Sequence, residues 1–347
     1  MKSLAAVITA PRKFEYIEQE LPPLGEHDIL VRIDSVGLCH SDLPRYTGKA
    51  TISVSERGYR QSEPVKFPCM VGHEPVGTVI DKGSAVKRYD IGDHISGHMP
   101  TCFRTHLVIP DSAMVFKLPA LDVDYRYCVA EPLGCIVNIL NMATMVEPGY
   151  TAVVGCGHLG LLTISGLRSL GVRGITALDL DDGRLALARH FGAEFCINPA
   201  KENAREKACD MTGGHFFDTV MEITGSIKGL QTACSIVKFA HVNGMQNTSY
   251  HGRGRILSSS VYGGEEIFPF GLAHDLMLKT PDVFNVHPSS SADVLANDIR
   301  GVEMFAQGSL PLHEMITHTC AFSQLPTGFG WLESPPEGYN KGLVLFD

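Results

Sequence analysis

The strongest constraint on the fold is an alternation of strand-like and helix-like segments that begins near residue 151. "TAVVGCGHLG" (151–160) has the pattern of a buried strand that runs into glycines, and the helix-like segment "LLTISGLRSLGV" follows it. A second strand and a second helix follow as "GITALDL" (174–180) and "GRLALARHFGA" (183–193). Strands that alternate with helices of this length predict a parallel, doubly wound sheet.

The glycines after the first of these strands form a dinucleotide-binding motif. "GCGHLG" matches G-x-G-x-x-G, follows a predicted strand and opens a predicted helix, which is the context that gives the motif its meaning. The glycines allow a tight turn, a close approach of pyrophosphate and close packing of helix on strand, and the helix N-terminus attracts the phosphates. The loop residues predicted to bind the cofactor are Gly155, Gly157, His158, Leu159 and Gly160.

An acidic residue at the end of the second strand indicates which dinucleotide is bound. Asp179 follows Gly160 at about the 20-residue spacing of the acid that binds the adenosine ribose. Its carboxylate would accept hydrogen bonds from a 2′-hydroxyl and repel a 2′-phosphate, so NAD is expected rather than NADP. Arg184, nearby in the sequence, weakens this preference. Thr224, at the end of a later strand-like segment (217–224), is also predicted to contact the cofactor. A glycine-rich turn that binds nothing is the alternative.

The first part of the chain is instead rich in strands. "DILVRIDSV" (28–36) alternates Ile29, Val31 and Ile33 on one face, and "THLVIP" (105–110) is a further strand-like segment. The long polar segment at 48–72 is expected to be a surface loop. The chain therefore combines a β-rich part with an α/β part, and its 347 residues are enough for two domains.

Composition excludes several classes of partner. The net charge is −9 and no basic run occurs, so neither nucleic acid nor an anionic membrane surface is an expected partner. No stretch reaches the roughly 18 apolar residues that cross a bilayer, and no signal-peptide cleavage site is evident, so a cytoplasmic location is expected. The 10 cysteines contain no C-x-x-C pair, and most are expected to be buried free thiols.

Cys39 is the exception, because polar groups surround it and possible metal ligands occur elsewhere. It lies in "VGLCHSDLPRYTG" (36–48), while "MVGHEPVG" supplies His73 and Glu74 and "AEPLG" supplies Glu131. Cysteine, histidine and carboxylate suit tetrahedral zinc with three protein ligands and one open position. Asp42 is a candidate to orient the His73 imidazole.

These motifs together resemble those of the zinc-dependent medium-chain alcohol and polyol dehydrogenases. "GLCHSDL" is similar to the family's G-x-C-x-S-D element, "GHEPVG" to G-H-E-x-x-G, "IGDHI" to its G-D-R-V turn and "GCGHLG" to its cofactor loop. "AEPLGC" resembles the sorbitol-dehydrogenase-like branch. The resemblance runs nearly end to end and implies an α/β fold: a GroES-like β-rich catalytic domain (1–137), a Rossmann NAD-binding domain (138–290) and a return segment (291–347) that completes the first.

The resemblance also implies residue roles. Cys39 and His73 correspond to zinc ligands, and Glu74 and Glu131 to carboxylates of the metal site, with the directly bound one left open. Ser41 corresponds to the hydroxyl that passes on the substrate proton. His40 and Lys341 correspond to cations that the family places against the cofactor pyrophosphate. Asp179 and Arg184 correspond to its pair of residues at the adenosine ribose.

Three departures from the family pattern qualify this expectation. Pro44 stands where the family often has a relay histidine five positions after the cysteine, so the proton must leave through water or His40. Only Cys102 lies where many relatives carry four cysteines around a structural zinc, so one zinc per chain is expected. The loops at 48–72 and 239–254 are expected to be longer than those of the family. Four further histidines have no partner pattern in the sequence and are interpreted as structural: His94, His98, His106 and His313.

The implied activity is hydride transfer between NAD and a secondary alcohol or polyol, or its ketone. Glu131 favours polyols by analogy with the branch, and the resemblance implies a homodimer or homotetramer. Two alternatives stay open: a metal-free quinone or enone reductase of the same fold, and a non-catalytic NAD-binding protein.

Overall fold

The fold is described from a computed structural model. The described residues are 1–49, 51–54, 60–239, 241–242, 245–246, 252–260 and 270–347. They form two compact units, the first comprising Met1–Gly134 with Asp298–Asp347 and the second comprising Cys135–Asn297. The sequence-predicted boundaries fall at 137/138 and 290/291, and they stay predictions.

Strands make up most of the first unit and the centre of the second. They are β1 (Lys2–Ala10), β2 (Lys13–Glu20), β3 (Asp28–Gly37), β4 (Thr51–Val54), β5 (Arg60–Glu63), β6 (Pro75–Lys82), β7 (His94–Gly97), β8 (His106–Pro110), β9 (Val115–Lys117), β10 (Thr151–Val154), β11 (Ile175–Leu178), β12 (Phe195–Ile197), β13 (Thr219–Glu222), β14 (His241–Val242), β15 (Met245–Gln246), β16 (Arg255–Ser258), β17 (Asp282–Asn285), β18 (Ile316–Ala321) and β19 (Lys341–Leu345).

Helices alternate with strands in the second unit and are fewer and shorter in the first. They are α1 (Leu43–Thr47), α2 (Ala130–Ala143), α3 (His158–Ser169), α4 (Asp182–His190), α5 (Ala204–Met211), α6 (Ile227–Ile236), α7 (Phe270–Lys279), α8 (Val294–Ala306), α9 (Leu312–Met315) and α10 (Leu325–Glu333). None of the helices in the described part of the chain has the length and apolar character needed to span a bilayer.

The first unit is built on a sheet with the order β18-β19-β3-β6-β7-β9, in which β8 also pairs with β3. Pairing is antiparallel except between β18 and β19. Ile29, Val31 and Ile33 of β3 lie in its core, as their alternation predicts. The C-terminal strand β19 thus lies beside β3, and this pairing brings the end of the chain next to the segment that carries Cys39.

The second unit contains a six-stranded parallel sheet with the order β12-β11-β10-β13-β16-β17. The strands β10 and β11 are buried along their whole length, as expected when helices cover both faces of a parallel sheet. Val154 is in register with Leu178 on one side and with Glu222 on the other. The residues that follow these three strand ends are therefore neighbours at one edge of the sheet.

The two predicted loops, 48–72 and 239–254, both contain short strands, and both lie partly outside the described residues. Within the predicted surface loop at 48–72, β4 and β5 pair antiparallel, while residues 50 and 55–59 lie outside the described residues. Half of the residues of the predicted 239–254 loop lie outside the described residues. β14 and β15 form a short antiparallel pair within the described part of this loop.

Candidate active site

The backbone fixes Cys39 next to Glu74. The Gly37 N–H donates a hydrogen bond to the Glu74 carbonyl oxygen (2.9 Å), and the Leu38 N–H donates to the Gly342 carbonyl oxygen (3.0 Å). A side chain at position 37 would collide with Oε2 of Glu74. Gly37 is therefore required by the close approach of a carboxylate, and it holds the end of β3 against the His73–Glu74 segment.

Three potential metal ligands converge at this point. One ligand atom from each of Cys39, His73 and Glu74 lies within 4.8 Å of the other two. Thiolate, imidazole and carboxylate are the donors that zinc prefers, and three of them leave a fourth position open. The three residues, called the Cys39 cluster below, thus fit a catalytic zinc ion. Among the described residues, this is the one group of at least three His, Cys, Asp or Glu side chains that meets this distance criterion.

Ser41 lies against two members of the Cys39 cluster. Its hydroxyl donates a hydrogen bond to Cys39 Sγ (3.2 Å) and lies 3.3 Å from His73 Nε2. Ser41 is exposed and belongs to a short 3₁₀ helix, His40–Asp42. The structure therefore brings the predicted proton-passing hydroxyl to the predicted metal ligands, while His40 is an exposed residue at the start of the same turn.

Asp42 holds the other side of the His73 ring. Its Oδ1 lies 3.4 Å from His73 Nδ1, and its side chain is only 4% exposed. Burial lowers the pKa of His73, but hydrogen bonding to Asp42 and to Cys39 outweighs burial and raises that pKa to about 12. A metal ion bound through Nε2 would compete with this proton, so metal affinity should rise with pH.

Lys341, which is predicted to contact the cofactor pyrophosphate, is bound to Glu74. Its Nζ donates hydrogen bonds to both carboxylate oxygens of Glu74, at 2.9 and 2.6 Å, and both side chains are 1% exposed. A buried ammonium that is engaged in this way is not available to a phosphate. Burial raises the pKa of Glu74, but the charges of Lys341 and His73 outweigh burial, so the pKa lies below its usual value.

Glu131, the second predicted carboxylate, lies near the Cys39 cluster but outside the set of three. It is half-buried and occupies the first turn of α2. Removal of its carboxyl group from water, together with the charge of Glu74, raises the pKa of Glu131. His73, His98 and Lys341 act in the opposite direction. Of these three, His98 was interpreted as structural from the sequence and was not predicted as a site residue.

In the second unit, the cofactor motif forms the turn that its glycines predict. Gly155 has φ +98°, a conformation that favours glycine. A side chain at Gly160 would collide with the Gly155 carbonyl oxygen. Apart from its chain neighbours, no atom of the described residues lies within 4 Å of a Cβ placed at Gly157. The helix α3 begins at His158, directly after this open position, and Leu159 belongs to its first turn. Free space in front of a helix N-terminus suits a phosphate.

Asp179 is bound to the same loop. Its Oδ2 accepts a hydrogen bond from the Cys156 N–H (2.8 Å), and its Oδ1 accepts one from the Asp181 N–H (3.0 Å). The carboxylate is half-buried and retains acceptor capacity for a ribose hydroxyl. Arg184, in the first turn of α4, donates its backbone N–H to Asp181 Oδ1.

Thr224 lies on the other side of the loop. Its Cγ2 would be 2.9 Å from a Cβ at Gly155, so the threonine packs against the first glycine of the motif. Its hydroxyl donates to Oε1 of the buried Glu222 at 2.5 Å, and its N–H donates to the same oxygen at 2.8 Å. Glu222 was not predicted as a site residue; it shapes the loop by holding Thr224.

Comparisons with known proteins place the chain in a family. Residues 25–119 match the alcohol dehydrogenase GroES-like domain, and residues 159–242 match the zinc-binding dehydrogenase family. The chain is 25% identical over 377 residues to the erythritol/L-threitol dehydrogenase of Mycolicibacterium smegmatis, with 99% of this chain and 98% of that protein covered. It is 26% identical over 364 residues to the L-threonine 3-dehydrogenase of Escherichia coli K12, with 94% of each covered.

Solved structures share the fold. The 2R,3R-butanediol dehydrogenase of Bacillus subtilis has a TM-score of 0.78 at 21% identity, with 99% of both chains covered. A Sinorhizobium meliloti protein in complex with NADP has a TM-score of 0.77 at 20% identity, again with 99% of both chains covered. The chain therefore belongs to the zinc-dependent medium-chain alcohol and polyol dehydrogenases, a family of NAD(P)-dependent oxidoreductases. The family and the fold class predicted from the sequence are confirmed.

Proposed function

We propose that this dehydrogenase transfers hydride between NAD and a small secondary alcohol or polyol, or the corresponding ketone, with one zinc ion held by Cys39, His73 and a carboxylate. The observation that carries the proposal is the convergence of the Cys39 cluster within 4.8 Å, with the Ser41 hydroxyl in contact with two of its members. A thiol and an imidazole can hold zinc, and the adjacent hydroxyl can accept the proton of a bound alcohol.

Each protein group has a task in this reaction. Zinc, when bound, supplies a Lewis acid that makes a hydroxyl more acidic, and the nicotinamide supplies the hydride acceptor. Ser41 Oγ accepts the substrate proton and passes it to water or to His40, because the side chain of Pro44 cannot accept a proton. Asp42 fixes the orientation of the His73 ring through Nδ1. Lys341 balances the charge of Glu74 so that two carboxylates can share the site.

The names of the relatives suggest the substrates to test. We expect the purified protein to contain about one zinc per chain and to reduce NAD with at least one member of a panel of erythritol, threitol, threonine, 2,3-butanediol, larger polyols and simple alcohols. Removal of zinc by a chelator should abolish this activity, and added zinc should restore it. Activity towards quinones or enones that survives zinc removal would favour a metal-free reductase instead. No turnover across both panels by the zinc-loaded protein would favour a non-catalytic NAD-binding role.

The preference for NAD rests on Asp179. Replacing Asp179 with alanine should raise the KM for NAD by roughly 10-fold or more, since a charged hydrogen-bond acceptor contributes about 1.5–3 kcal/mol. It should also reduce the preference for NAD, so that the kcat/KM values for NAD and NADP become more similar. Asp182 is the matched control, because its carboxylate is bound by Asn198 and Lys201; Asp182→Ala should leave the KM for NAD within about twofold. Equal use of the two cofactors by the unmodified protein would contradict the assignment.

We also propose that the chain forms a homodimer or homotetramer. The strand β17 lies at the edge of the parallel sheet, and its Val283 is 52% exposed. Among the described strands this edge has no further partner, and an open edge with an apolar side chain favours pairing with a second strand. Sedimentation analysis tests this assembly, and a monomer at micromolar concentration would contradict it. The cytoplasmic location stays a prediction from the sequence.

A further inference from the structure

A buried ion pair next to the first turn of α2 has no part in the function described above. His98, which follows β7, places Nε2 at 3.0 Å from Oδ2 of Asp298 on α8. The Asp298 side chain is 1% exposed and that of His98 is 27% exposed. Within the described residues, neither carboxylate oxygen of Asp298 makes a hydrogen bond of regular geometry. His98 is therefore the counter-ion of this carboxylate, since an unpaired buried charge is strongly destabilising.

The packing of α8 on α2 directs this pair to the helix turn that carries Glu131. A side chain at Gly134 would collide with Oδ1 of Asp298, and one at Gly301 would approach the Leu133 carbonyl carbon to 2.7 Å. Both glycines are thus required for the close crossing of the two helices. Gly134 lies three residues after Glu131, on the same face of α2.

A single serine connects the three segments that carry the titratable groups. Ser96 Oγ donates a hydrogen bond to the Pro75 carbonyl oxygen (2.7 Å) and accepts one from the Ala130 N–H (3.0 Å). Glu74 immediately precedes Pro75, Glu131 immediately follows Ala130, and His98 lies two residues after Ser96. The start of β6, the end of β7 and the start of α2 therefore meet at Ser96, which brings the segment that carries His98 to the helix turn that carries Glu131.

We infer that His98, held by Asp298, is a positioning residue of the metal site whose charge is shared between Asp298 and Glu131. This inference rests on the proposed zinc site. His98 then offsets part of the charge of Glu131 while Lys341 pairs with Glu74, which favours the approach of two acidic side chains to one metal ion. The hydrogen bond to Asp298 raises the pKa of His98, and the charge of Glu131 acts in the same direction. Burial and the charge of Glu74 raise the pKa of Glu131, and the charge of His98 opposes them in part.

The test compares His98→Gln and Asp298→Asn with a matched control. His94 lies on the same stretch of chain but bonds to Thr78 and stacks on Tyr125, so His94→Gln removes a half-buried imidazole without touching the pair. Zinc affinity is measured by competition with a chromogenic chelator, and the ligand field by the visible absorption of the cobalt-substituted protein. We expect His98→Gln and Asp298→Asn to weaken zinc binding by roughly 10–100-fold and to shift the cobalt bands.

A variant that restores a positive charge at position 98 distinguishes an electrostatic role of His98 from a role in packing. His98→Lys returns a cation to the site and should recover part of the zinc affinity that His98→Gln loses, while His94→Gln should bind zinc within about twofold of the unmodified protein. Unchanged zinc affinity and cobalt bands in Asp298→Asn, which preserves size, would overturn the inference even if His98→Gln failed to fold. Absence of zinc binding by the unmodified protein would instead overturn the proposed function.

Discussion

Replacement of Cys39 by alanine is expected to remove both zinc and turnover while leaving the binding of nicotinamide cofactor intact. The Sγ atom of Cys39 is one of the three ligand atoms that converge within 4.8 Å, and it accepts the hydrogen bond of Ser41. Loss of the metal removes several kcal/mol of charge stabilisation from the reaction. Because each 1.36 kcal/mol changes the rate about tenfold, kcat should fall by at least about 10³-fold.

Three measurements are needed on this variant. Metal content comes from elemental analysis of purified protein, turnover from NADH formation with the best substrate of the panel, and cofactor binding from NADH fluorescence. Cys69→Ala is the matched control, because Cys69 is also a partly buried free thiol of the first unit and lies outside the Cys39 cluster; it should retain zinc and activity. A Cys39→Ala variant with unchanged activity and zinc content would show that the reaction does not depend on this site.

The cofactor motif was readable from the sequence because its determinants are local. A buried strand, three spaced glycines and an acid at the end of the next strand follow one another within about 30 residues, and the parallel register aligns Val154 with Leu178. The glycines occupy the conformations and close contacts that their spacing predicts. The strand β17 was not recognised, since four residues with alternating exposure give little periodic signal.

The metal site could be predicted only in part from the sequence, because its supporting contacts join distant parts of the chain. Cys39, His73 and Glu74 could be selected by donor type, but Lys341 lies 267 residues from Glu74 in sequence, and His98 is likewise far from Asp298. No local pattern indicates such pairs. The resemblance placed Lys341 against the cofactor, whereas the pairing of β19 with β3 buries it beside a carboxylate.

Substitution of Lys341 by methionine is expected to be among the most destabilising single changes in this protein. Methionine preserves much of the volume, but it leaves the Glu74 carboxylate buried without its counter-ion. Removal of one partner of a buried ion pair typically costs 3–5 kcal/mol. The free energy of unfolding of the metal-free protein, measured in urea, should fall by about this amount. Lys2→Met is the matched control, because the Lys2–Glu18 pair is exposed (56% and 63%) and contributes at most about 1 kcal/mol.

The double variant Lys341→Met/Glu74→Gln and the dependence on pH identify the cause of that loss. Glu74→Gln removes the unpaired charge, so the double variant should recover part of the stability that Lys341→Met loses. In the unmodified protein the pKa of Glu74 is lowered, so its contribution is present above the unfolded pKa and is lost as the pH falls through the folded pKa. In Lys341→Met, burial without a cation should raise that pKa, and protonation then relieves the buried charge. The deficit of Lys341→Met should therefore shrink as the pH falls from about 7 towards about 4. A deficit that is independent of pH and unaffected by Glu74→Gln would mean that Lys341 acts through packing alone.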